Sequence, residues 1–504
     1  MSSKECGVLL PIFSLPGKYG IGTLGQNAYK FIDFLSECGF SYWEVLPVED
    51  IGKGNSPFDI PSAFSLNYLF IDFDLLVEDG ILNSRDFTGI EFSDSPRKVN
   101  YNKIKIAKDK ILRTAFKRFD KTDPDFLSFK ENNYFRYNYA LFETIKSFNN
   151  NKNWFDFRLE DRYYASEIKK EYETFHHDTI DYYLFLAYIF KKQWKRMHDY
   201  AKSKGIDIIG EIPHFLSYNS DAMYMTPELF LIDKRNIPTF VVGFPPDDFR
   251  KEGQKWGYPL YDWEYMKTTN YKRWRYRLDA AYSLFDRIKV NHFMGFYKTY
   301  AVPFRSKNGK KGKYFKGPGL DFINDVKEDY PLIANNTGIY PEDAQHFMNE
   351  SKLETLTLIG PNFFQDKFFT ENCLPSNISE DTYLYLESHD YMPLKGLLSS
   401  LTEEQKILAE NRVKSEARKL NVENEESISL FEKARYLMKL ALASRANHVT
   451  FTMQDILFQG KESRINEPGT VNEENWTYRF LWSDLSDGIV DEMKKMLIKF
   501  KRNK

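Results

Sequence analysis

The stretch AYKFIDFLSECGFSYWEVLP, residues 28–47, carries the pattern that predicts the fold. From Ala28 to Leu35 the apolar side chains recur at the spacing of one helix face. Gly39 is able to end that helix in the left-handed conformation, and residues 42–47 then form a short apolar run typical of a buried strand. A helix followed by a glycine and a buried strand is the unit of a parallel α/β protein.

The same unit recurs downstream. A long helix is predicted over about residues 182–204, and Gly205 and an apolar run follow it. A second predicted helix, with Trp274 and Leu278 on one stripe, leads into the candidate strand Ile288–His292. Seven or more such strands in 504 residues favour an α/β fold of the closed (β/α)8 TIM-barrel type over an open, doubly wound sheet. The other candidate strands are Ile206–Pro213, Leu332–Ala334, Leu356–Gly360, Tyr383–Leu386 and Val449–Met453.

The spacing between the strands is uneven and predicts an insertion. Residues 75–179 contain helical patterns and polar stretches but no convincing parallel strand. We therefore predict that residues 1–74 start the barrel, that residues 75–179 form a mainly helical insertion subdomain, and that residues 180–504 complete the barrel with its cleft loops. No separate C-terminal β-domain is expected. The Lys- and Gly-rich run Ser306–Gly319 is predicted to be a mobile surface loop, because its glycines lack P-loop spacing.

The bulk composition excludes several classes of function. The 70 basic residues nearly balance the 72 acidic ones, and the net charge of -2 gives no long-range attraction for nucleic acid or a membrane surface. The six-residue apolar run from Val8 to Phe13 is too short for a signal peptide, and no later run is long enough to span a bilayer. The 3 scattered cysteines argue against a disulfide framework and a zinc cluster. We expect a cytoplasmic protein without a bound metal.

Short motifs that follow one another along the chain carry a family resemblance. They include LLPIFSLP (residues 9–16), YGIG (19–22), SPF (56–58), PPD (245–247), WG (256–257), QDIL (454–457), RINEPGT (464–470) and NW (475–476). In this order they resemble glycoside hydrolase family 77, the amylomaltases or 4-α-glucanotransferases. The resemblance extends over nearly the whole chain outside the predicted insertion.

The resemblance implies a reaction and its partners. The family transfers α-1,4-glucan segments between maltooligosaccharides with retention of configuration and without a cofactor or metal. Retention by a covalent route needs two carboxyl groups about 5–5.5 Å apart. One attacks the anomeric carbon, and the other protonates the leaving oxygen and then deprotonates the acceptor hydroxyl. A third carboxylate supports the transition state.

One of the three implied carboxylates is present. The sequence Ser388-His389-Asp390 follows a candidate strand and matches the family's threonine-histidine-aspartate. The resemblance therefore implies that Asp390 is the transition-state stabiliser and that His389 donates a hydrogen bond to the sugar. Residues at the carboxyl ends of barrel strands are the ones that carry catalysis in this fold.

The other two implied positions hold asparagine. The octapeptide KVNHFMGF, residues 289–296, places Asn291 where the family has its aspartate nucleophile. The pentapeptide ANNTG, residues 334–338, places Asn335 where the family has its glutamate acid/base. An amide oxygen is a far poorer nucleophile than an ionised carboxylate, and an amide exchanges no proton near neutral pH. Both substitutions therefore predict weak or absent transfer activity.

The resemblance also implies residues that bind the glucan. Glu211 stands where the family has an aspartate, and Phe58 stands where it has a tyrosine. Lys289 keeps the positive charge of an arginine but not its planar fork. The implied substrate-binding set is Phe58, Glu211, Phe249, Gln254, Trp256, Lys289, His292, His389 and Asn466.

Three functions remain open from the sequence. The first is a weakly active or inactive glucan-binding homologue. The second is an active transferase with a rearranged carboxylate set, for which Glu211 ranks first and Glu387, Asp247 and Glu342 follow. The third is a non-catalytic scaffold that binds no glucan. The sequence indicates neither the oligomeric state nor the preferred glucan length.

Overall fold

Short parallel strands and longer helices alternate in the computed structural model. It describes residues 4–247, 250–335, 344–364, 371–423 and 429–504. Within these residues the strands are β1 (Glu5–Leu9), β2 (Tyr42–Val45), β3 (Asp207–Ile212), β4 (Phe240–Phe244), β5 (Gln254–Pro259), β6 (Arg287–Val290), β7 (Lys298–Pro303), β8 (Lys313–Lys316), β9 (Leu332–Ala334), β10 (Glu354–Leu358), β11 (Thr382–Tyr385) and β12 (His448–Thr452).

Eight of these strands close into a parallel barrel in the order β1-β12-β11-β10-β9-β6-β3-β2. Strand β1 pairs with β2 on one side and with β12 on the other, so the first and last strands of the chain complete the ring. The predicted (β/α)8 barrel is thereby confirmed. The candidate strands lie within two residues of the observed ones, and β1 was not among the candidates.

Helices surround the barrel and form the segment between β2 and β3. They are α1 (Gln26–Cys38), α2 (Phe73–Glu78), α3 (Tyr101–Arg118), α4 (Pro124–Asn132), α5 (Tyr134–Phe148), α6 (Ser166–Phe175), α7 (His177–Ser203), α8 (Asp221–Met225), α9 (Trp263–Thr268), α10 (Lys272–Tyr282), α11 (Leu320–Val326), α12 (Ala344–Ser351), α13 (Gly360–Phe364), α14 (Leu394–Ser400), α15 (Glu403–Leu420), α16 (Leu430–Ala443), α17 (Met453–Ile456) and α18 (Asp487–Lys499).

Helix α1 and its exit follow from the stretch that predicts the fold. Its buried face includes Phe31 and Leu35, and Gly39 ends the helix with a φ of 87° in the left-handed region. Strand β2 is then buried along its whole length, as expected for a strand covered by helices. The local pattern therefore predicts this unit correctly.

The segment between β2 and β3 is mainly helical. Residues 75–179, all of which the structure describes, contain α3 to α6 and parts of α2 and α7, and no strand. Helix α7 begins at His177, ahead of the predicted start, because Ile180 continues its buried face. Helix α5 packs against α7 and so joins this segment to the barrel.

A second, four-stranded antiparallel sheet stands beside the barrel in the order β5-β4-β7-β8. The sequence did not predict it, and the expectation that Ser306–Gly319 is a loop throughout is wrong, because residues 313–316 form β8. Strand β8 pairs with β7, and the rings of Tyr300 and Tyr314 meet edge to face. Its lysines are characteristic of an edge strand that resists further pairing.

The barrel interior is layered. A patch of apolar and tyrosine side chains, with Leu9, Tyr42, Ile209, Ile333, Leu356, Leu358, Tyr383 and Tyr385, fills its middle. Charged residues lie on either side of this layer. Among the described residues, no helix is long and apolar enough to cross a membrane.

Candidate active site

The floor of the site is formed by residues at the carboxyl ends of neighbouring barrel strands. Successive residues of a strand point to opposite faces, so Glu44 shares the inward face of β2 with Tyr42, and Glu211 shares that of β3 with Ile209. Lys289 comes from β6, and Glu211 is its register partner across the β3–β6 pair. The carboxyl ends of the strands are where TIM barrels place their chemistry.

Glu211 holds both of the asparagines. Its Oε1 accepts a hydrogen bond from Nδ2 of Asn291 at 2.8 Å and from Nδ2 of Asn335 at 3.2 Å. The structure therefore brings together three residues that are 80 and 124 positions apart in the sequence. Because each asparagine donates its N–H group to a carboxylate, each turns its amide nitrogen toward Glu211.

Lys289 joins two buried carboxylates. Its Nζ lies 3.0 Å from Oε2 of Glu211 and also bonds to Oε1 of Glu44. The hydroxyl of Tyr385 donates to the other oxygen of Glu44. The Lys289 side chain is 1% exposed and those of Glu211 and Glu44 are 0% exposed, so Lys289 belongs to the floor and not to the open cleft wall.

The charges of this network stabilise one another. Burial raises the pKa of Glu211, but Lys289, His389 and the Asn291 hydrogen bond together bring that pKa below its ordinary value. Burial lowers the pKa of Lys289, but Glu211 and Glu44 together bring it above its ordinary value. Glu211 is therefore an ionised carboxylate at neutral pH, and Lys289 is a charged ammonium.

Asp390 lies on the exposed side of the site. Its side chain is 37% exposed, and its Oδ1 accepts a hydrogen bond from Nδ2 of Asn466 at 2.7 Å. The guanidinium of Arg464 donates to the backbone carbonyls of Asp390 and Asn466. The motif RINEPGT therefore returns to the cleft and holds Asp390 in place, and the substrate-binding role that the resemblance implies for Asn466 stays a prediction.

Aromatic rings surround His389. The ring of Phe58 stacks on the His389 ring at 5.0 Å with an interplanar angle of 18°, and Trp476 lies 6.0 Å from it on a tilted plane. His389 is 4% exposed, while its Nε2 lies 3.5 Å from Oδ1 of Asp390. This group of rings presents flat apolar area next to a carboxylate, which is the combination of apolar lining and a placed polar group found in small-molecule sites.

A second wall comes from β5 and the residues after β6. The indole nitrogen of Trp256 donates to Oε1 of Gln254 at 3.0 Å, and the Trp256 ring lies 4.8 Å from that of His292. His292 has a φ of 50°, which is the strained left-handed region for a residue with a side chain. Arg250 bonds to the backbone carbonyls of Pro468 and Gly469, so this wall meets the C-terminal motif.

The acids that were candidates for a rearranged set lie in different environments. Glu387 is 1% exposed, and within the described part of the chain neither of its carboxyl oxygens has a hydrogen-bond partner. Burial and Asp455 raise the pKa of Glu387 well above its ordinary value, which keeps it neutral. Asp247 accepts from the backbone amide of Arg250 in a turn. Glu342 and Phe249 lie outside the described residues.

Sequence reasoning missed three members of the site, namely Glu44, Tyr385 and Arg464. Glu44 was counted only as part of an apolar strand, although a lone carboxylate in a buried strand requires a compensating partner. That anomaly was the signal that would have identified it. In the part of the chain that the structure describes, no group of three or more His, Cys, Asp and Glu side chains is arranged to hold a metal ion.

Comparisons with known proteins agree with the family resemblance and with the fold. The family model of glycoside hydrolase family 77, described as 4-alpha-glucanotransferase, matches residues 10–484. The 4-alpha-glucanotransferase of Aquifex aeolicus is 33% identical over 485 residues, which cover 94% of this chain and 95% of the relative. That of Clostridium butyricum is 34% identical over 480 residues, covering 93% and 94%. The structure of amylomaltase from Streptococcus agalactiae in complex with acarbose matches at a TM-score of 0.92 and 29% identity, covering 99% of this chain and 100% of that one.

Proposed function

Because the chain belongs to glycoside hydrolase family 77, the family of the 4-alpha-glucanotransferases, we propose that it binds α-1,4-glucans and transfers glucan segments only weakly or not at all. The glucan occupies the cleft at the carboxyl ends of the barrel strands, between the Phe58–His389 wall and the Trp256–His292 wall. Its partners are maltooligosaccharides, and the reaction class of the family needs no cofactor.

The hydrogen bonding of Glu211 is the observation that carries this proposal. The positions that the resemblance assigns to the nucleophile and the acid/base hold amides, and both amides donate to Oε1 of Glu211. Its Oε2 faces Lys289, and the side chain is fully buried. A nucleophile must direct a lone pair at the anomeric carbon, and a buried carboxylate with one oxygen that accepts two hydrogen bonds and the other beside a charged ammonium is poorly suited to do so.

The expected loss of activity is large. Removal of the nucleophile from a concerted catalytic set costs about a millionfold in turnover, which corresponds to roughly 8 kcal/mol of transition-state stabilisation. Loss of the acid/base adds less than its separate effect, because the groups act as a unit. What remains is binding and orientation, which in an unrelated hydrolase still give about 10³–10⁴-fold over the uncatalysed rate, far below that of the intact catalytic set.

Other features support retained glucan binding. Asp390 is partly exposed and oriented by Asn466, and the stacked rings of Phe58 and His389 lie next to it. The similar amylomaltase of Streptococcus agalactiae was solved with acarbose, which supports the same cleft as the sugar site in this chain. A cytoplasmic location stays a prediction from composition.

Two measurements on the native chain test the proposal. Calorimetric titration with maltoheptaose is expected to show binding. Incubation with maltotriose is expected to form neither glucose nor longer oligomers at the rates usual for a transferase. Absence of binding heat at millimolar maltoheptaose would favour the scaffold without glucan affinity. Rapid disproportionation of maltotriose would contradict the proposal directly.

One observation favours a second candidate, the active transferase with a rearranged carboxylate set. Glu211 is ionised and lies within hydrogen-bond distance of both amide positions. If the native chain disproportionates maltotriose, the activity of Glu211→Gln tests whether Glu211 belongs to the rearranged catalytic set. Loss of that activity would support the rearranged set, and full retention would eliminate Glu211.

A further inference from the structure

We infer that Glu211 is a positioning residue whose buried charge makes asparagine necessary at positions 291 and 335, so that transfer activity returns only when that charge is removed together with the two substitutions. This inference rests on the proposed function and deepens it. Positions 211, 291 and 335 form one coupled unit, in which the negative charge lies on the barrel floor at Glu211 and not at the two reactive positions.

The geometry around Oε1 of Glu211 explains why positions 291 and 335 need a hydrogen-bond donor. This one oxygen accepts from Nδ2 of Asn291 at 2.8 Å and from Nδ2 of Asn335 at 3.2 Å. A carboxylate in place of either amide would bring two acceptor oxygens to that separation with no proton between them. The resemblance implies that an aspartate at position 211 coexists with both reactive carboxylates, but Glu211 is one methylene longer and lies within hydrogen-bond distance of both side chains. Like charges this close cannot both stay ionised in a buried site, so one of them must take up a proton.

The floor cannot absorb a further negative charge. Among the residues that the structure describes, Lys289 is the cation paired with the floor carboxylates, and Glu44 and Glu211 already share it. Tyr385 donates to Glu44 and contributes no charge. All four side chains are buried, so water cannot screen an added carboxylate. Arg287, two residues before Lys289 on β6, pairs instead with Glu5 and Asp207 at the opposite end of the barrel.

Restoring the two family carboxylates alone is therefore not expected to restore transfer activity. Asn291→Asp with Asn335→Glu would place four carboxyl groups around the single ammonium of Lys289. The new acids would share protons with Glu211, so that Asp at 291 would not be an ionised nucleophile at neutral pH. Glu211→Gln releases this constraint with almost no change of shape. The glutamine amide can donate to an aspartate at 291, which keeps the same hydrogen bond with its polarity reversed.

Once the charge of Glu211 is removed, the triple variant has the groups that both steps of a retaining transfer require. The ionised Asp at 291 forms a bond to the anomeric carbon as the bond from that carbon to the glycosidic oxygen breaks. The proton of the Glu at 335 passes to the leaving oxygen. In the second step an acceptor hydroxyl bonds to the same carbon, its proton returns to the Glu at 335, and the Asp at 291 leaves.

A stability cycle tests the coupling without relying on activity. Thermal unfolding is measured for the native chain, Glu211→Gln, Asn291→Asp and the double variant between pH 4 and 8. Asn291→Asp alone is expected to lower Tm most at pH 8 and least at pH 4, where the carboxyl pair holds a proton. The double variant is expected to recover most of that loss. Additive effects with no pH dependence would overturn the inference.

An activity comparison tests the consequence. In the maltotriose assay we expect Glu211→Gln/Asn291→Asp/Asn335→Glu to exceed Asn291→Asp/Asn335→Glu by at least about 100-fold, in line with the role of an ionised nucleophile. The matched control replaces Glu211→Gln by Glu416→Gln, which removes a buried glutamate of α15 that bonds to Ser376 and Lys419. The control triple variant is expected to stay as inactive as the double variant.

Each outcome has a distinct meaning. Equal activity of the double and triple variants, whether both high or both absent, would overturn the inference while leaving the proposed function in place. Strong disproportionation by the native chain would overturn the proposed function itself. If the triple variant does not fold, the stability cycle of Glu211 and Asn291 decides the inference.

Discussion

At the scale of single residues, Lys289 balances the charge of the barrel floor. It separates two buried carboxylates that would otherwise face each other without compensation, namely Glu44 and Glu211. A buried ion pair adds little net stability over an apolar replacement, but the loss of one partner leaves a charge in a medium that cannot solvate it. The substitution of arginine by lysine that the resemblance implies at this position therefore preserves the essential feature, which is the cation.

We predict that Lys289→Met lowers the free energy of unfolding by about 3–5 kcal/mol, because it leaves buried carboxylates unpaired. Lys289→Arg keeps the charge and is expected to cost about 1 kcal/mol, as for an ordinary substitution. Urea unfolding of both variants at pH 7 measures the difference. Equal stability of the two variants would show that the cation is dispensable.

At the scale of elements, the helical insertion is joined to the barrel through buried charges. Glu49 follows β2 and interacts with Arg136 of α5 and with Arg277 of α10. Arg277 in turn donates to the backbone carbonyls of Pro213 and His214, in the segment that follows β3. The insertion therefore supports the strand that carries Glu211, although it contributes no group to the floor of the site.

This junction predicts a pH dependence of stability. Burial raises the pKa of Glu49 to about 7, although Arg277 and Arg136 oppose the shift. Because the pKa is higher in the folded chain than in the unfolded one, the contribution of Glu49 to stability is full below about pH 4.5 and is lost as the pH rises through 7. Glu49→Gln is neutral throughout and removes this loss.

We therefore expect the unfolding free energy of the native chain to fall between pH 5 and 8 by about 2–3 kcal/mol more than that of Glu49→Gln. Urea unfolding at pH 5, 6.5 and 8 measures the two slopes. Glu416→Gln serves as the control for loss of a buried glutamate elsewhere, and it should keep the native slope. Parallel slopes for the native chain and Glu49→Gln would refute the prediction.

At the scale of the whole molecule, an ionic ring closes the amino end of the barrel. His448 of β12 lies 3.1 Å from Glu5 of β1 and 3.0 Å from Glu354 of β10. Arg287 of β6 adds contacts to Glu5 at 2.8 Å and to Asp207 of β3 at 3.1 Å. Five strands are thus tied together at the end opposite to the site, including the first and last strands of the chain.

The ring has its own pH window. Burial lowers the pKa of His448, but Glu354 and Glu5 outweigh it and raise that pKa above the ordinary value. Burial likewise raises the pKa of Glu5, but His448 and Arg287 outweigh it and bring that pKa to about 2. The His448 contribution is full below about pH 6.5 and is lost at higher pH, while that of Glu5 is full above about pH 4.5 and is lost toward pH 2.

We predict that His448→Gln lowers the unfolding free energy by about 1–2 kcal/mol at pH 6, where the charged histidine donates to two carboxylates, and by less at pH 9. Thermal unfolding at the two pH values measures this difference. A loss that is equal at both values would show that His448 acts through packing on the Tyr383 ring, from which it lies at 4.1 Å, and not through its charge.

The sequence by itself determined the barrel and the chemical identity of the reactive positions. Helical and strand periodicity depends on neighbouring residues, so the segment from α1 to β2 and the later strands could be predicted from local pattern. The amides at 291 and 335 and the acid at 390 are also local facts. The antiparallel sheet was missed, because β8 is short and consists largely of lysine and aromatic residues whose strand conformation depends on its pairing with β7.

Only the tertiary structure decided what Glu211 does. From the sequence, Glu211 was a candidate acid or a sugar ligand, and Glu44 was part of an apolar strand. The register of β2, β3 and β6 brings these carboxylates to one lysine and turns both amides toward Glu211. Contacts between residues 80 or more positions apart depend on strand register and side-chain direction, which no local pattern encodes.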